Sequence, residues 1–260
     1  GILTGCLLTM IIQSSGATTV MTVSFVNAGL LSLVQAISVI FGANIGTTIT
    51  AWIVALFGFN FKIQAFAIPI FGIGYILYTL KKLKSQNIGM AIMGFAILFV
   101  ALDWLSGSIS QNVENFTFLI NIQQMGILSI PLGFLVGILF TALIHSSSAM
   151  TAIVITMAYN QMLTWEFSAA MIIGSNIGST IDSIMASFNS TPNAKRTALV
   201  HVLFNFTSAM IALIFLKPFT RFVDFIIPGP VTDNITFHIA MLHTCFNILG
   251  TLIFTPFINQ

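Results

Sequence analysis

GANIGTTI at residues 42–49 and GSNIGSTI at residues 174–181 agree at six of eight positions and lie 132 residues apart. The same offset relates a second pair of polar clusters. Gln13-Ser14-Ser15-Gly16 precedes the first octet, and His145-Ser146-Ser147-Ser148 precedes the second. One ungapped shift therefore aligns an Asn, two glycines, a serine pair and the spacing between them. Chance similarity among apolar segments does not preserve such positions together, so the chain contains an internal duplication. Within this register Thr50 is the counterpart of Asp182, and Gly16 is the counterpart of Ser148.

The clusters are set in an apolar chain. Of its 260 residues, 57% are hydrophobic and 5% are charged. About a quarter of a soluble domain is charged, so water is not the solvent for which this surface is composed. A bilayer removes the need, and apolar runs of about 20 residues cross it. The fold class expected is an all-α integral membrane protein. Candidate spans are 63–80, 88–105, 127–144, 197–216 and 235–254, with short charged connections, a polar Asn-rich loop at 106–126 and a Pro- and Gly-containing loop at 217–234. The net charge of +2 gives no footprint for nucleic acid. Cys6 and Cys245 are far apart in apolar stretches and read as small buried hydrophobes rather than a disulfide.

The pieces between the polar clusters are too short for ordinary spans. They are expected to form, in each repeat, a re-entrant helical hairpin (QSSG or HSSS) followed by a broken transmembrane helix (GANIGTT or GSNIGST). Positive residues favour the cytoplasmic side. With Lys81, Lys82 and Lys84 there, the span 63–80 runs inward. With Lys195 and Arg196 there, its counterpart 197–216 runs outward, and Lys62, Lys217 and Arg221 lie outside. The repeats are then inverted, the layout that places a transport site at the repeat interface near the midplane. Residues 1–105 comprise repeat one and, from about 88, the first span of repeat two. Residues 106–126 form an extracellular linker, and 127–260 complete repeat two. The counterpart of 88–130 falls before Gly1, so a further helix is expected upstream.

Backbone polar groups in hydrocarbon need partners, so Gly-, Ser- and Asn-rich interruptions must be buried in protein or line a wet cavity. Single small residues serve helix packing. Four clusters at one offset exceed that need. Half-helix N-termini present free N–H groups and a partial positive charge, which suits an oxyanion. Ser14, Ser15, Ser146, Ser147 and Ser148 are its candidate donors, with Gln13 and His145 at equivalent places ahead of them. Asn44, Thr47, Thr48, Asn176, Ser179 and Thr180 offer oxygen ligands to a hard cation such as Na+. No Lys or Arg lies in any cluster. An anion held there needs co-bound cations for neutrality, which argues for ion coupling. Asp182 is an intramembrane carboxylate and is assigned to the cation site or a proton-linked role. Asp103 beside Trp104 reads as interfacial. His201, His238 and His243 read as hydrogen-bonded packing residues, and Asn205 as a residue that can reach the cavity.

QSSGATTVMTVSFVNAGLLS (13–32), GANIGTTITAW (42–52), HSSSAMTAIVITMA (145–158) and GSNIGST (174–180) together resemble the type II sodium-dependent phosphate cotransporter family in its bacterial form. KRTALVHVLFN (195–205) and IGMAIMGFAILFVALDWL (88–105) extend the likeness over nearly the whole chain. The resemblance implies Na+-driven uptake of inorganic phosphate across the plasma (inner) membrane by alternating access. It implies phosphate at the two serine hairpins, Na+ nearby as coupling ion, no organic cofactor, and inorganic phosphate, Na+ and the lipid bilayer as partners, with a homodimer left open. The chain departs from the family's paired Gln-Ser-Ser-Ser at Gly16, where the third serine is absent, and at His145, where the family has Gln. Both departures fall on the residues to which the resemblance assigns phosphate.

Other readings are a Na+- or H+-coupled carrier of another small anion, or an anion channel. An enzyme is disfavoured. No serine has a glycine two residues before it, so the nucleophile-elbow motif is absent, and no Cys or His spacing matches a metal site.

Overall fold

The computed structural model describes residues 1–60, 64–80 and 85–258, and all regular structure among them is helical. Ile63, Lys62, Lys81, Lys82 and Lys84, on which part of the orientation reading rests, lie outside the described residues. The chain divides into two units, Gly1–Trp52 with Phe118–Gln260, and Ile53–Thr117.

In the larger unit the duplication appears element by element. Helix α1 (Ile2–Ile12), α2 (Ser15–Asn27), α3 (Leu33–Gly46) and the short α4 (Thr48–Ile53) belong to the first copy. After α5–α7, described below, come α8 (Ser129–Ile144), α9 (Ser147–Tyr159), α10 (Trp165–Gly178) and α11 (Ile181–Ser187). Both ends of α2 and α3, and the C-terminal end of α1, map onto those of α9, α10 and α8 at the offset read from sequence. At about 1.5 Å per residue, the 13-residue α2 and α9 each reach roughly 20 Å, well short of the ~30 Å hydrocarbon core. The unit is completed by α12 (Pro192–Ile214), α13 (Leu216–Ile226) and α14 (Val231–Phe254).

Helix α1 packs on α3, and α8 on α10, through equivalent glycines. A Cβ on Gly5 or Gly42 would collide with backbone of Val39 or Ile2. One on Gly137 or Gly174 would collide with backbone of Met171 or Phe134. Gly46 against Cys6 and Gly178 against Ile138 continue the seam. Such close backbone approach is what small residues provide where lipid supplies no hydrophobic drive between helices. The outward face is apolar in both copies. Leu3, Leu7 and Ile11 are exposed, as are their counterparts Leu135, Leu139 and Leu143. Meanwhile Thr18, Thr19, Thr22, Asn176, Asn205 and Asn247 are buried. Polar groups inside and large apolar side chains outside is the distribution of a membrane protein. Five helices among the described residues are long and apolar enough to cross: Leu33–Phe59, Gln86–Ile109, Gly126–Ile144, Pro192–Ile214 and Val231–Phe257.

Three expectations change in detail. The helix interruptions are milder than full breaks. Thr47 (φ −64°, ψ −22°), Ser179 (φ −67°, ψ −16°) and Thr180 (φ −71°, ψ −15°) keep right-handed helical backbone. Thr48 Oγ1 donates to the Ile45 carbonyl, Ser179 Oγ to Asn176 and Thr180 Oγ1 to Ile177, so hydroxyls occupy carbonyls that a wider opening would expose. The proposed loop 106–126 is mostly helical. Helix α6 (Gln86–Gln111) runs into it, a 3-10 turn covers Val113–Phe116, and α7 (Thr117–Gln123) follows. Apolar residues recur through this polar stretch at helical spacing, and Leu119 is buried. The loop 217–234 is likewise largely α13. Leu216, Thr220 and Val223 are buried while Lys217 and Arg221 fall on the other face, the pattern of a helix lying at an interface. Pro218 sits in its first turn, where a missing N–H costs little.

In the smaller unit α5 (Gln64–Thr79) packs against α6 at Gly74 and Gly89, where neither position has room for a Cβ. The described part of the expected span 63–80 is thus a 16-residue helix interrupted by Pro69. Phe95 meets Phe57 and Phe99 edge-on at 6.3 and 4.8 Å.

Candidate oxyanion site at two serine turns

The link between α1 and α2 is two residues long. Gln13 adopts a left-handed conformation (φ 59°, ψ 24°) that ends α1, and its N–H returns to the Thr9 carbonyl. Ser14 is extended (φ −144°, ψ 104°), and its Oγ accepts from the Ala17 N–H at 3.1 Å, capping α2. The second copy repeats this geometry. His145 is left-handed (φ 58°, ψ 27°), Ser146 is extended (φ −150°, ψ 106°), and Ser146 Oγ accepts from Ala149 N–H at 3.1 Å. Non-glycine residues in the left-handed region are uncommon, and two at equivalent places mark a conformation that both turns need. Helix geometry leaves the N–H groups of Ser15, Gly16, Ser147 and Ser148 without intrahelical acceptors.

Both turns face one pocket. It is lined by Gln13, Ser14, Ser15, Gly16, the His145–Ser148 run, Ser179 and Asp182. Its volume is ≈ 20 Å³. An open cleft of ≈ 440 Å³ shares Ser14, Gly16, His145 and Asp182 with it and continues along Ala17, Val20, Met185 and Ala186. The pocket is therefore approached along the edge where His145 and Asp182 lie.

Each turn is braced by the short helix that follows an interruption. Thr50 Oγ1 of α4 donates to Gln13 Oε1 at 2.8 Å and lies 3.3 Å from Ser148 Oγ in the opposite turn. Gln13 Nε2 donates to the Met10 carbonyl. In the second copy Asp182 of α11 takes the place of Thr50. Its Oδ1 lies 2.7 Å from His145 Nδ1, whose N–H donates to the carboxylate in the tautomer protonated there. Its Oδ2 faces Gly16, where an added Cβ would lie 2.5 Å away. The three departures from the repeat pattern, His145, Asp182 and Gly16, thus form one contiguous group.

All seven residues expected to bind the anion line this pocket. The residues expected to bind a cation divide. Ser179 and Asp182 line it as well. Asn44 donates to the Ile40 carbonyl, and Thr47 Oγ1 is buried without a partner among the described residues. Thr48 and Thr180 bond to their own helices, each hydroxyl keeping a lone pair for a cation. Asn176 is buried between His243, 3.1 Å from its Oδ1, and Asn247, whose Oδ1 accepts at 3.2 Å. His201 pairs with Ser183 Oγ at 2.9 Å, and His238 Nδ1 lies 2.9 Å from the Asn234 carbonyl, so the helix-borne histidines are hydrogen-bonded within the packing. Asn205 is fully buried, donates to the His201 carbonyl and lies outside the pocket lining. Asp103 and Trp104 are exposed. Sequence reasoning missed the site role of Gly16, which it noted only as an absent serine.

The sequence profile of the Na+/Pi-cotransporter family matches residues 1–107 and 122–225. The chain belongs to that family. Membership makes it a transport protein rather than an enzyme, and its apolar exterior fits a membrane. The uncharacterized protein YqeW of Bacillus subtilis is 31% identical over 96% of this chain and 78% of its own length. The putative inorganic phosphate export protein YjbB of Escherichia coli is 24% identical over 96% of this chain but 44% of its own length. Sodium-dependent phosphate transport protein 2B of Homo sapiens is 50% identical over 141 residues, 49% of this chain and 20% of that protein. The chain thus spans less than half of the named phosphate transporters it matches. No solved structure is significantly similar to it.

Proposed function

We propose that this member of the Na+/Pi-cotransporter family carries inorganic phosphate across the plasma membrane by alternating access, with Na+ as the coupling ion. The observation that carries the reading is the convergence of two equivalent, serine-capped helix starts on one pocket with no Lys or Arg in its lining. Four unpaired N–H groups and the serine hydroxyls supply directed donors to a tetrahedral oxyanion. Lacking a fixed cation, the site binds a phosphate anion favourably only with a mobile one beside it, the physical basis of symport. Oxygens at the two helix interruptions, those of Asn44, Thr47, Thr48, Asn176 and Thr180, are the proposed Na+ ligands. Ser179 and Asp182 share the lining with the serines and are assigned to the anion. The shortness of α2 and α9 supports the re-entrant hairpin reading, and the recurrence of elements supports two repeats, whose inversion rests on the placement of Lys and Arg.

Direction follows the gradients. A Na+ symporter with an inward Na+ gradient accumulates phosphate, and the relative named for phosphate export is the reason to measure efflux as well. The test is radiolabelled phosphate flux in proteoliposomes of the full-length protein, with an inward Na+ gradient against matched K+. Accumulation with Na+ alone supports the reading. Equal accumulation with K+ would contradict Na+ coupling, and no phosphate flux in either direction would contradict the substrate.

A further inference from the structure

We propose that Asp182, seated opposite Gly16 and held by His145, selects for oxyanions that carry a proton, so that the site takes hydrogen phosphate and rejects sulfate. The inference rests on the phosphate-carrier reading and assigns its specificity to one side chain.

Serine hydroxyls and helix N–H groups donate to any tetrahedral anion, and they do not by themselves separate phosphate from sulfate. An ionised carboxylate does. It only accepts hydrogen bonds. Hydrogen phosphate keeps a P–O–H at neutral pH and can donate to it, whereas sulfate has no hydrogen and meets it with two facing lone-pair oxygens. A site built around one substrate O–H discriminates strongly against the analogue that lacks it, because the polar group is left unpaired and here also repels.

The geometry fits that role. Asp182 is 17% exposed and lines the pocket with both serine turns. His145 engages Oδ1 at 2.7 Å, which fixes the carboxylate and leaves Oδ2 as the acceptor directed to the Gly16 side of the pocket. No donor among the described residues is bonded to Oδ2. Gly16 is required for this placement, since the serine that repeat two has at the equivalent position would put a Cβ 2.5 Å from Oδ2. Repeat one carries the neutral version of the arrangement, Gln13, Thr50 and Ser148, in which the hydroxyl of Thr50 is already committed to Gln13. Only the repeat-two half presents a lone acceptor to the ligand.

The experiment is competition against radiolabelled phosphate uptake at neutral pH in proteoliposomes of the full-length protein. For wild type, unlabelled phosphate and arsenate compete, while sulfate and monofluorophosphate, both without an O–H in their dianions, fail to compete at about a hundred-fold excess. For Asp182→Asn, whose amide can donate, sulfate becomes an inhibitor at concentrations at least about ten-fold lower than for wild type. Sulfate or monofluorophosphate competing with wild type as well as phosphate does overturns the proposal, as does an Asp182→Asn carrier that excludes sulfate as wild type does. If the variant transports nothing, the monofluorophosphate result on wild type decides alone. Absence of any wild-type phosphate flux is a separate result that removes the carrier reading itself.

Discussion

At the residue scale, Gly16 and Asp182 explain each other. Gly16 alone is a lost hydroxyl from a serine turn, and Asp182 alone is a carboxylate placed beside the proposed anion site. Together they exchange a hydroxyl for an acceptor without overfilling the pocket. Gly16→Ser should therefore reduce phosphate uptake, because its side chain displaces the carboxylate. Gly16→Ser combined with Asp182→Thr, which recreates the Ser148–Thr50 contact of the other half, should recover most of the loss. Uptake measured across this double-mutant cycle checks the coupling. Additive losses, or a Gly16→Ser carrier with normal uptake, would break it. The sequence displayed all three departures but not their contact. Alignment at one offset compares Gly16 with Ser148 and Asp182 with Thr50, whereas the structure joins Asp182 to His145 within its own copy and sets it against Gly16 of the other, as it sets Thr50 of α4 against Ser148 of α9. No periodicity within either copy encodes that crossing.

At the scale of elements, the α1–α3 and α8–α10 seams hold each copy's turn in place. Gly174 lets the Phe134 carbonyl approach, and Gly42 does the same for Ile2. Since the obstructing atoms are backbone, a methyl group cannot be accommodated by a rotamer change. Gly174→Ala or Gly42→Ala should each lower stability by about 1–3 kcal/mol, seen as a reduced midpoint in thermal unfolding of the detergent-solubilised protein. An unchanged midpoint for both would show that the seam relaxes freely. These glycines were legible as parts of a repeated motif, and their packing role emerges only from the helix pairs. Other elements were less legible. The mild interruptions at Thr47 and Ser179 look like breaks in sequence because Gly, Asn and Thr have low helix propensity, yet the Thr and Ser hydroxyls satisfy the local carbonyls and the helices continue. The amphipathic α13 hides behind Pro218 and its charges, since an interfacial helix lacks the sustained apolar run that marks a span.

At the scale of the whole molecule, the account is of a duplicated membrane protein whose two copies each contribute one turn to the proposed anion pocket and one short helix that is hydrogen-bonded to its own turn and lies against the opposite one. The all-α membrane class and the duplication followed from composition and one offset, because bilayer length and repeat spacing are one-dimensional quantities. That both turns line one pocket, with Asp182 set against Gly16, is a three-dimensional fact. The central claim is that both turns hold the same phosphate. Its most direct test is equilibrium binding of radiolabelled phosphate to purified full-length protein in Na+, comparing wild type with Ser15→Ala and Ser147→Ala at matched folded fractions. Loss of one hydrogen bond to a charged ligand predicts about a ten-fold or greater weakening in each variant. Wild-type affinity in both variants, or a loss confined to one turn, would contradict a site shared between the two.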